Sequence, residues 1–341
     1  MDSQNSIPLR WKLILGLVTR LPQGLISRFT GSLAAIPIPG PFRRLVLGAF
    51  ARAVGIDVAE AEKPLGAYPS VSHFFTRRLR AGVRSWPSDP TMPASPVDGR
   101  VGAVGRIRNG EAIQAKGISY QVAELLGFES PRVSRLEGGT FVTLYLSPRD
   151  YHRIHAPVGG EVTWGRILPG ALFPVNAPAV ASIPRLFPRN ERLVAWLETM
   201  GSSPESAAGS ESAAGPESAV GSESVGGPEP VDGPEPVAGP SVPVAVVAVG
   251  AFNVGGISAL YDPAWHRDEG AGRSLTNRPG KQRPRTRRYE SPKRVARGDE
   301  FMAFHLGSTV VLLFGPDDSR GDLDPGVRPG ETIRLGAPLF R

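Results

Sequence analysis

Cysteine is absent from all 341 residues. That excludes a disulfide scaffold, thiolate zinc and iron–sulfur sites, and a thiol nucleophile. Long apolar runs are missing too. The longest near the N-terminus, residues 13–18, spans six positions, against the roughly 20 that a membrane-spanning helix needs. It is also shorter than the apolar stretch of an ordinary secretory signal peptide. Aromatic residues make up only 7% of the chain, and histidine occurs five times. Acidic charge is unevenly placed: residues 201–242 hold seven acidic side chains and no basic one, leaving +14 on the rest of a chain whose net charge is +7. Such an excess calls for an anionic partner, either nucleic acid or an acidic membrane surface.

What is present is length enough for one large domain or two small ones. Glycine and proline are abundant at 41 and 35 residues, which points to a low-complexity insert. Residues 1–68 read as helical and basic. Phe42, Leu45, Val46, Ala49, Phe50 and Val54 recur at helical spacing, with Arg43, Arg44 and Arg52 off that face. A second apolar segment, from Trp11 to Leu21, is flanked by Arg10, Lys12 and Arg20. Basic helices bearing Trp, Leu and Phe suit either an interfacial membrane anchor or a packed helical subdomain. From residue 69 the pattern turns to short β-rich runs at 101–107, 140–146, 160–167 and 192–197, with a helix expected at 121–126.

Residues 204–239 are six copies of a six-residue unit that begins Pro204-Glu205-Ser206-Ala207-Ala208-Gly209. The unit has no large apolar side chain to offset its ordering entropy, so it reads as a disordered acidic linker inserted in a loop. Strands are expected again at 244–249, 301–306 and 309–314. Between them, residues 264–297 read as a loop carrying eleven Lys/Arg. With only Trp265 and Tyr289 interleaved, this loop is a poor platform for nucleic acid, and contact with anionic head groups or phosphates is the functional alternative to a solvated loop. The fold class expected is α+β: a β-rich antiparallel catalytic body, residues 69–341, interrupted by the acidic repeat and preceded by an amphipathic helical region.

Three short constellations can carry chemistry. Asp98-Gly99, between apolar residues, is a hairpin signal and also places a carboxylate at a turn. Tyr151-His152-Arg153-Ile154-His155 holds two of the five histidines. No third ligand clusters with them, so acid–base use near neutral pH fits better than a metal site. Gly307-Ser308-Thr309 leads into a buried strand, where it either forms a simple turn or presents a reactive hydroxyl beside a glycine carbonyl open to attack. Asp98, His155 and Ser308 together make an acid–base–nucleophile set. Its target is either an external acyl group or the chain's own Gly307 carbonyl, and no G-x-S-x-G elbow surrounds Ser308.

In this order, the motifs resemble those of the bacterial membrane-associated phosphatidylserine decarboxylases. The resemblance is carried by Phe74-Phe75-Thr76-Arg77-Arg78-Leu79-Arg80, the Pro96 to Gly99 turn, Tyr151 to Gly159, Leu172-Phe173-Pro174-Val175-Asn176, Asn190-Glu191-Arg192 and Leu306-Gly307-Ser308-Thr309. One departure is Phe301-Met302, where the family usually shows Met-Gly.

The resemblance implies a precursor that cuts itself between Gly307 and Ser308. Ser308 is then the nucleophile, His155 the base and Asp98 its orienter. The products are a large chain, 1–307, and a small chain, 308–341, the latter blocked by a pyruvoyl group derived from Ser308. That group serves as the electron sink for decarboxylation, and His152 is the expected proton donor. No metal or diffusible cofactor is implied. The implied partner is phosphatidylserine in a membrane, reached from the cytoplasmic face by a peripheral protein, with homo-oligomerisation left open. A pyruvoyl decarboxylase acting on another amine and a lipid-binding relative without turnover are the alternatives.

Overall fold

The computed structural model describes residues 16, 22–115, 117–200, 223–224, 241–252, 256–263, 265, 275–277, 282–305, 308–317 and 326–341. Nearly all of the expected apolar segment from Trp11 to Leu21, most of the acidic repeat, much of the 264–284 stretch, and Leu306 and Gly307 lie outside the described residues.

A nine-stranded antiparallel sheet organises the chain. Its strands are β1 (Gly99–Arg106), β4 (Thr140–Tyr145), β6 (Gly160–Leu168), β7 (Arg192–Met200), β8 (Glu223–Ser224), β9 (Ser241–Val249), β11 (Arg285–Val295), β13 (Thr309–Phe314) and β14 (Thr332–Ile333). They lie in the order β14-β1-β4-β13-β9-β7-β6-β11-β8. A three-stranded sheet, β10 (Ile257–Ala259), β12 (Glu300–Phe304) and β5 (Arg153–His155), packs on one face, and a two-stranded ribbon, β2 (Glu111–Ala115) and β3 (Ile118–Gln121), sets Ala112 and Tyr120 into the core on the other.

Both faces of the central strands are covered, which explains why β9 and β13 read as unbroken apolar runs rather than alternating ones. Val244, Val246 and Ala248 face one core with Ile154, Phe301 and Phe304. Their neighbours Ala245, Val247 and Val249 face a second core with Trp164, Trp196 and Phe187. The period-2 geometry of a strand sends successive side chains to the two cores.

Two expectations need correction. Residues 285–295 are not loop: β11 pairs with β6 in a register shifted between Arg288 and Lys293, and the alternation of basic residues hid a strand at the sheet margin. Nor is Asp98-Gly99 a hairpin turn. Gly99 begins β1, whose partners are β4 and β14. A Cβ on Gly99 would meet the Tyr145 carbonyl oxygen at 2.4 Å, so the glycine serves close backbone approach. The other expected strands and the 121–126 helix are present, the latter as Val122–Leu126.

The N-terminal helices are α1 (Gln23–Ala35) and α2 (Gly40–Val54), followed by a short α3 (Val71–Phe75). Leu47 and Ala51 of α2 join Ile56, Tyr68 and Phe74 in a small core of their own. The apolar stripe expected on α2 is split: Phe50 and Val54 pack inward, whereas Phe42, Leu45 and Val46 are exposed. In α1 the buried residues are Gln23 and Ser27, Ile26 is half-buried, and Leu25, Phe29 and Leu33 face out. The Gln23 side-chain oxygen accepts the Leu172 backbone N–H at 2.9 Å, fixing α1 to the catalytic body.

Candidate active site

The sheet register aligns the site. Arg100 pairs with Tyr145, Tyr145 with Thr309, and Thr309 with Val249, which in turn pairs with Arg192. Asp98, Ser308 and Glu191, each one or two residues beyond this row, therefore share one edge of the sheet. The Ser308 carbonyl accepts the Leu146 N–H at 2.9 Å, tying the residue before β13 to the residue after β4. Ser308 is buried, and its Oγ has no hydrogen-bond partner.

The histidines come from the segment leading into β5 and from β5 itself. The His155 N–H donates to the Pro96 carbonyl at 2.9 Å, which draws the Asp98 segment alongside β5. In the ring, Nδ1 donates to the Gly298 carbonyl at 2.6 Å, because a carbonyl can only accept. The lone pair therefore resides on Nε2, which accepts from the Tyr151 hydroxyl at 3.0 Å. Burial lowers the His155 pKa against the opposing pulls of the Gly298 carbonyl and Glu300. Burial also raises the Tyr151 pKa, so the phenol keeps its proton.

His152 is fully buried, its ring 4.0 Å from that of Phe75. Its Nδ1 donates to the Asp150 carbonyl at 2.8 Å, and Nε2 is left buried without a partner. Burial, with the Arg77 charge adding to it, pushes this imidazole down to about 3. The ring is therefore neutral at physiological pH, with a free lone pair.

Asp98 does not touch His155. Its carboxylate accepts from Arg84 Nε at 2.9 Å and Nη2 at 2.5 Å, and from the Leu335 N–H at 2.8 Å. Arg84 also grips Glu60, to which Arg334 adds a further bond at 3.0 Å. The Arg84 hydrogen bond holds the Glu60 carboxyl below its ordinary range. The register brings Asp98 and Ser308 to one end of the sheet, and the Pro96 carbonyl draws His155 alongside the Asp98 segment, but no hydrogen bond joins any two of Asp98, His152, His155 and Ser308. The Gly298 carbonyl, not Asp98, orients His155.

Sequence reasoning gave no role to Tyr151, Arg84, Phe75 or Arg77. Tyr151, Phe75 and Arg77 stood inside motifs already singled out. Arg84 and the Gly298 and Asp150 carbonyls carried no motif signal. A pyruvoyl group fits the arrangement, since residue 308 is enclosed and its hydroxyl oxygen and His152 Nε2 are both buried without partners.

Residues 71–210 and 235–341 match the family described as phosphatidylserine decarboxylase. A phosphatidylserine decarboxylase proenzyme of Anaeromyxobacter sp. (strain K) is 40% identical over 328 residues, covering 96% of this chain and 98% of the relative. The proenzyme of Myxococcus xanthus (strain DK1622) is 37% identical over 320 residues, covering 94% and 95%. That of Brevibacillus brevis (strain 47) is 35% identical over 328 residues, covering 96% and 97%.

Proposed function

The chain belongs to the phosphatidylserine decarboxylase family, and on that premise we propose that it is a self-processing precursor whose mature form converts phosphatidylserine to phosphatidylethanolamine and carbon dioxide. The observation that carries this reading is the buried, unpartnered Ser308 hydroxyl at the end of the sheet shared with Asp98, whose own segment runs alongside the histidine-bearing β5.

In processing, Ser308 Oγ attacks the Gly307 carbonyl carbon, and His155 Nε2 takes the hydroxyl proton once Tyr151 yields its place. The Gly307–Ser308 peptide C–N bond breaks as the ester C–O bond forms, and the proton on His155 passes to the freed nitrogen. Abstraction of the residue 308 α-proton then expels the Gly307 carboxylate. The dehydroalanine left on residue 308 takes up water and releases ammonia, giving a pyruvoyl group. Asp98, held by Arg84 and the Leu335 N–H, contributes a fixed negative charge beside this segment rather than a bond to His155. The division falls between residues 307 and 308.

When formed, the pyruvoyl group supplies the electron sink for decarboxylation. The chain's own residues handle the proton. The substrate amine reacts as its free base, and His152 Nε2, its lone pair free, relays a proton to the carbon that has lost carbon dioxide. Phe75 and the Asp150 carbonyl hold the ring for that transfer.

Residues 1–68 are the membrane-associating region in this reading. Leu25, Phe29, Leu33 and Ile36 of α1 and its C-terminal flank, with Phe42 and Leu45 of α2, are each more than half exposed. No helix among the described residues is long and apolar enough to cross a membrane. An outward apolar face flanked by arginines suits a helix that lies in the headgroup interface. We place the protein peripherally on the cytoplasmic face of the cell membrane. The test is incubation of the cleaved protein with phosphatidylserine vesicles. Phosphatidylethanolamine and carbon dioxide are expected in equal amounts, and cleaved protein without turnover would refute the reading.

A further inference from the structure

Arg77 is a buried cation whose hydrogen-bond donors no step described above uses. It is 3% exposed, and its Nε and Nη1 have no hydrogen-bond partner. A guanidinium in that state is rare, because buried charges in proteins are normally paired. The Phe74 ring lies 5.4 Å from the guanidinium carbon, and a ring face does not satisfy N–H donors.

The neighbouring ions do not supply the missing anion. Glu60 and Asp98 are matched by Arg84 and Arg334, two carboxylates against two guanidiniums. Glu300 is already held by Arg78 and Arg153. The surroundings of Arg77 are therefore net positive.

Its position is fixed and close to the chemistry. The preceding Thr76 carbonyl accepts from Arg153 Nε at 2.9 Å, locking this turn to β5. Phe75, two residues earlier, carries the ring against His152. The Arg77 charge acts on His152, and it interacts with Asp98 and Tyr151.

We propose that Arg77 binds the phosphodiester of the lipid head group, its unpartnered Nε donating to a non-bridging phosphate oxygen. This inference rests on the proposed phosphatidylserine reaction for its choice of ligand. The substrate offers two anions, and the chemistry separates them. The carboxylate loses its charge as carbon dioxide departs, so a cation there would stabilise the ground state and slow the reaction. The phosphodiester keeps its charge from substrate to product, so a cation there binds both equally and leaves the chemical step unchanged. A guanidinium, always charged and weakly hydrated, suits such an oxyanion.

The experiment uses the full chain with Arg77→Met and Arg77→Lys. Fragment masses come first and should show normal cleavage in both variants. Thermal melting should show Arg77→Met no less stable than the parent, since an uncompensated charge is removed. With phosphatidylserine in mixed micelles, KM should rise about ten- to a hundred-fold in Arg77→Met while kcat stays within about three-fold, the signature of lost uniform binding. Arg77→Lys should recover part of the loss.

Binding of glycerophosphoethanolamine, which has the phosphodiester and no carboxylate, should weaken by the same factor as KM rises. Binding of O-ethylserine, which has the carboxylate and no phosphate, should be unchanged. An unaltered KM would overturn the proposal. So would a loss confined to O-ethylserine, a lower melting temperature with unchanged ligand binding, or failure of both variants to cleave. A cleaved parent that leaves phosphatidylserine untouched, yet binds glycerophosphoethanolamine through Arg77, would refute the reaction proposed above and leave this site standing.

Discussion

His152 and His155 are three positions apart, and their partners set their separate tasks. His155 has its proton fixed on Nδ1 by the Gly298 carbonyl and its lone pair occupied by the Tyr151 hydroxyl. His152 has its proton fixed by the Asp150 carbonyl and its lone pair free. His155→Ala should therefore stay a single chain, as read by mass. His152→Ala should be cleaved, with turnover reduced about 10²- to 10⁴-fold, the usual worth of a general acid–base group; normal turnover in His152→Ala would refute its role. Acid provides a second test. An unfolded histidine binds a proton below its ordinary pKa of about 6.5, whereas His152 in the fold does so only near 3. Stability should thus fall as the pH drops from about 6.5 towards 3, by up to about 1.4 kcal/mol per pH unit from this one group. In His152→Phe, which keeps an aromatic ring on Phe75, the chemical-denaturation profile should lose that portion of the slope; an unchanged slope would contradict the buried neutral state. The sequence showed the two histidines but not their acceptors, because backbone carbonyls have no residue identity to read. It also suggested Asp98 as the His155 orienter, a pairing the structure replaces with the Arg84–Asp98 ion pair.

Among the elements, α1 is inverted. Its buried positions are Gln23 and Ser27, and Leu25, Phe29 and Leu33 face outward. Helical periodicity in the neighbouring α2 was readable, but periodicity does not say which side meets the protein, and there the apolar stripe divides between core and surface. Phe29→Glu combined with Leu33→Glu should reduce binding to phosphatidylserine vesicles at least about ten-fold, through lost apolar burial and added repulsion, while cleavage at 307/308 proceeds normally. Equal vesicle binding would remove α1 from the membrane account. The acidic repeat yields to the same kind of reasoning. Met200 at the end of β7 pairs with Ser241 at the start of β9, so the insert leaves and re-enters the sheet on adjacent strands; within it, contrary to a wholly disordered linker, Glu223–Ser224 pair with β11 as the two-residue edge strand β8. Replacing residues 204–239 with a short Gly-Ser turn should spare both cleavage and decarboxylation, because shortening a loop lowers its closure cost; loss of folding would contradict the linker reading. The strand at 285–295 escaped detection because basic side chains dominate it and its apolar content is small.

At the scale of the molecule, the antiparallel body was legible from short β-rich runs, and the order of motifs along the chain pointed to the family. Strand order was not legible, since β1, β4, β13 and β9 are neighbours in space but far apart in sequence. That order is what brings Asp98 and Ser308 to one edge of the sheet. The charge pattern, +14 outside the acidic segment, predicts vesicle association that weakens as salt rises, because exposed charges are screened over about 8 Å at physiological ionic strength. The central claim is self-processing at Ser308, and the denatured mass of the purified protein tests it most directly. The account predicts two chains, 1–307 and 308–341, the smaller lacking a free amino terminus and carrying the mass of a pyruvoyl group in place of serine. In Ser308→Ala it predicts one uncleaved chain. A single 36.2 kDa chain in the parent, under conditions where phosphatidylserine is nevertheless consumed, would contradict it.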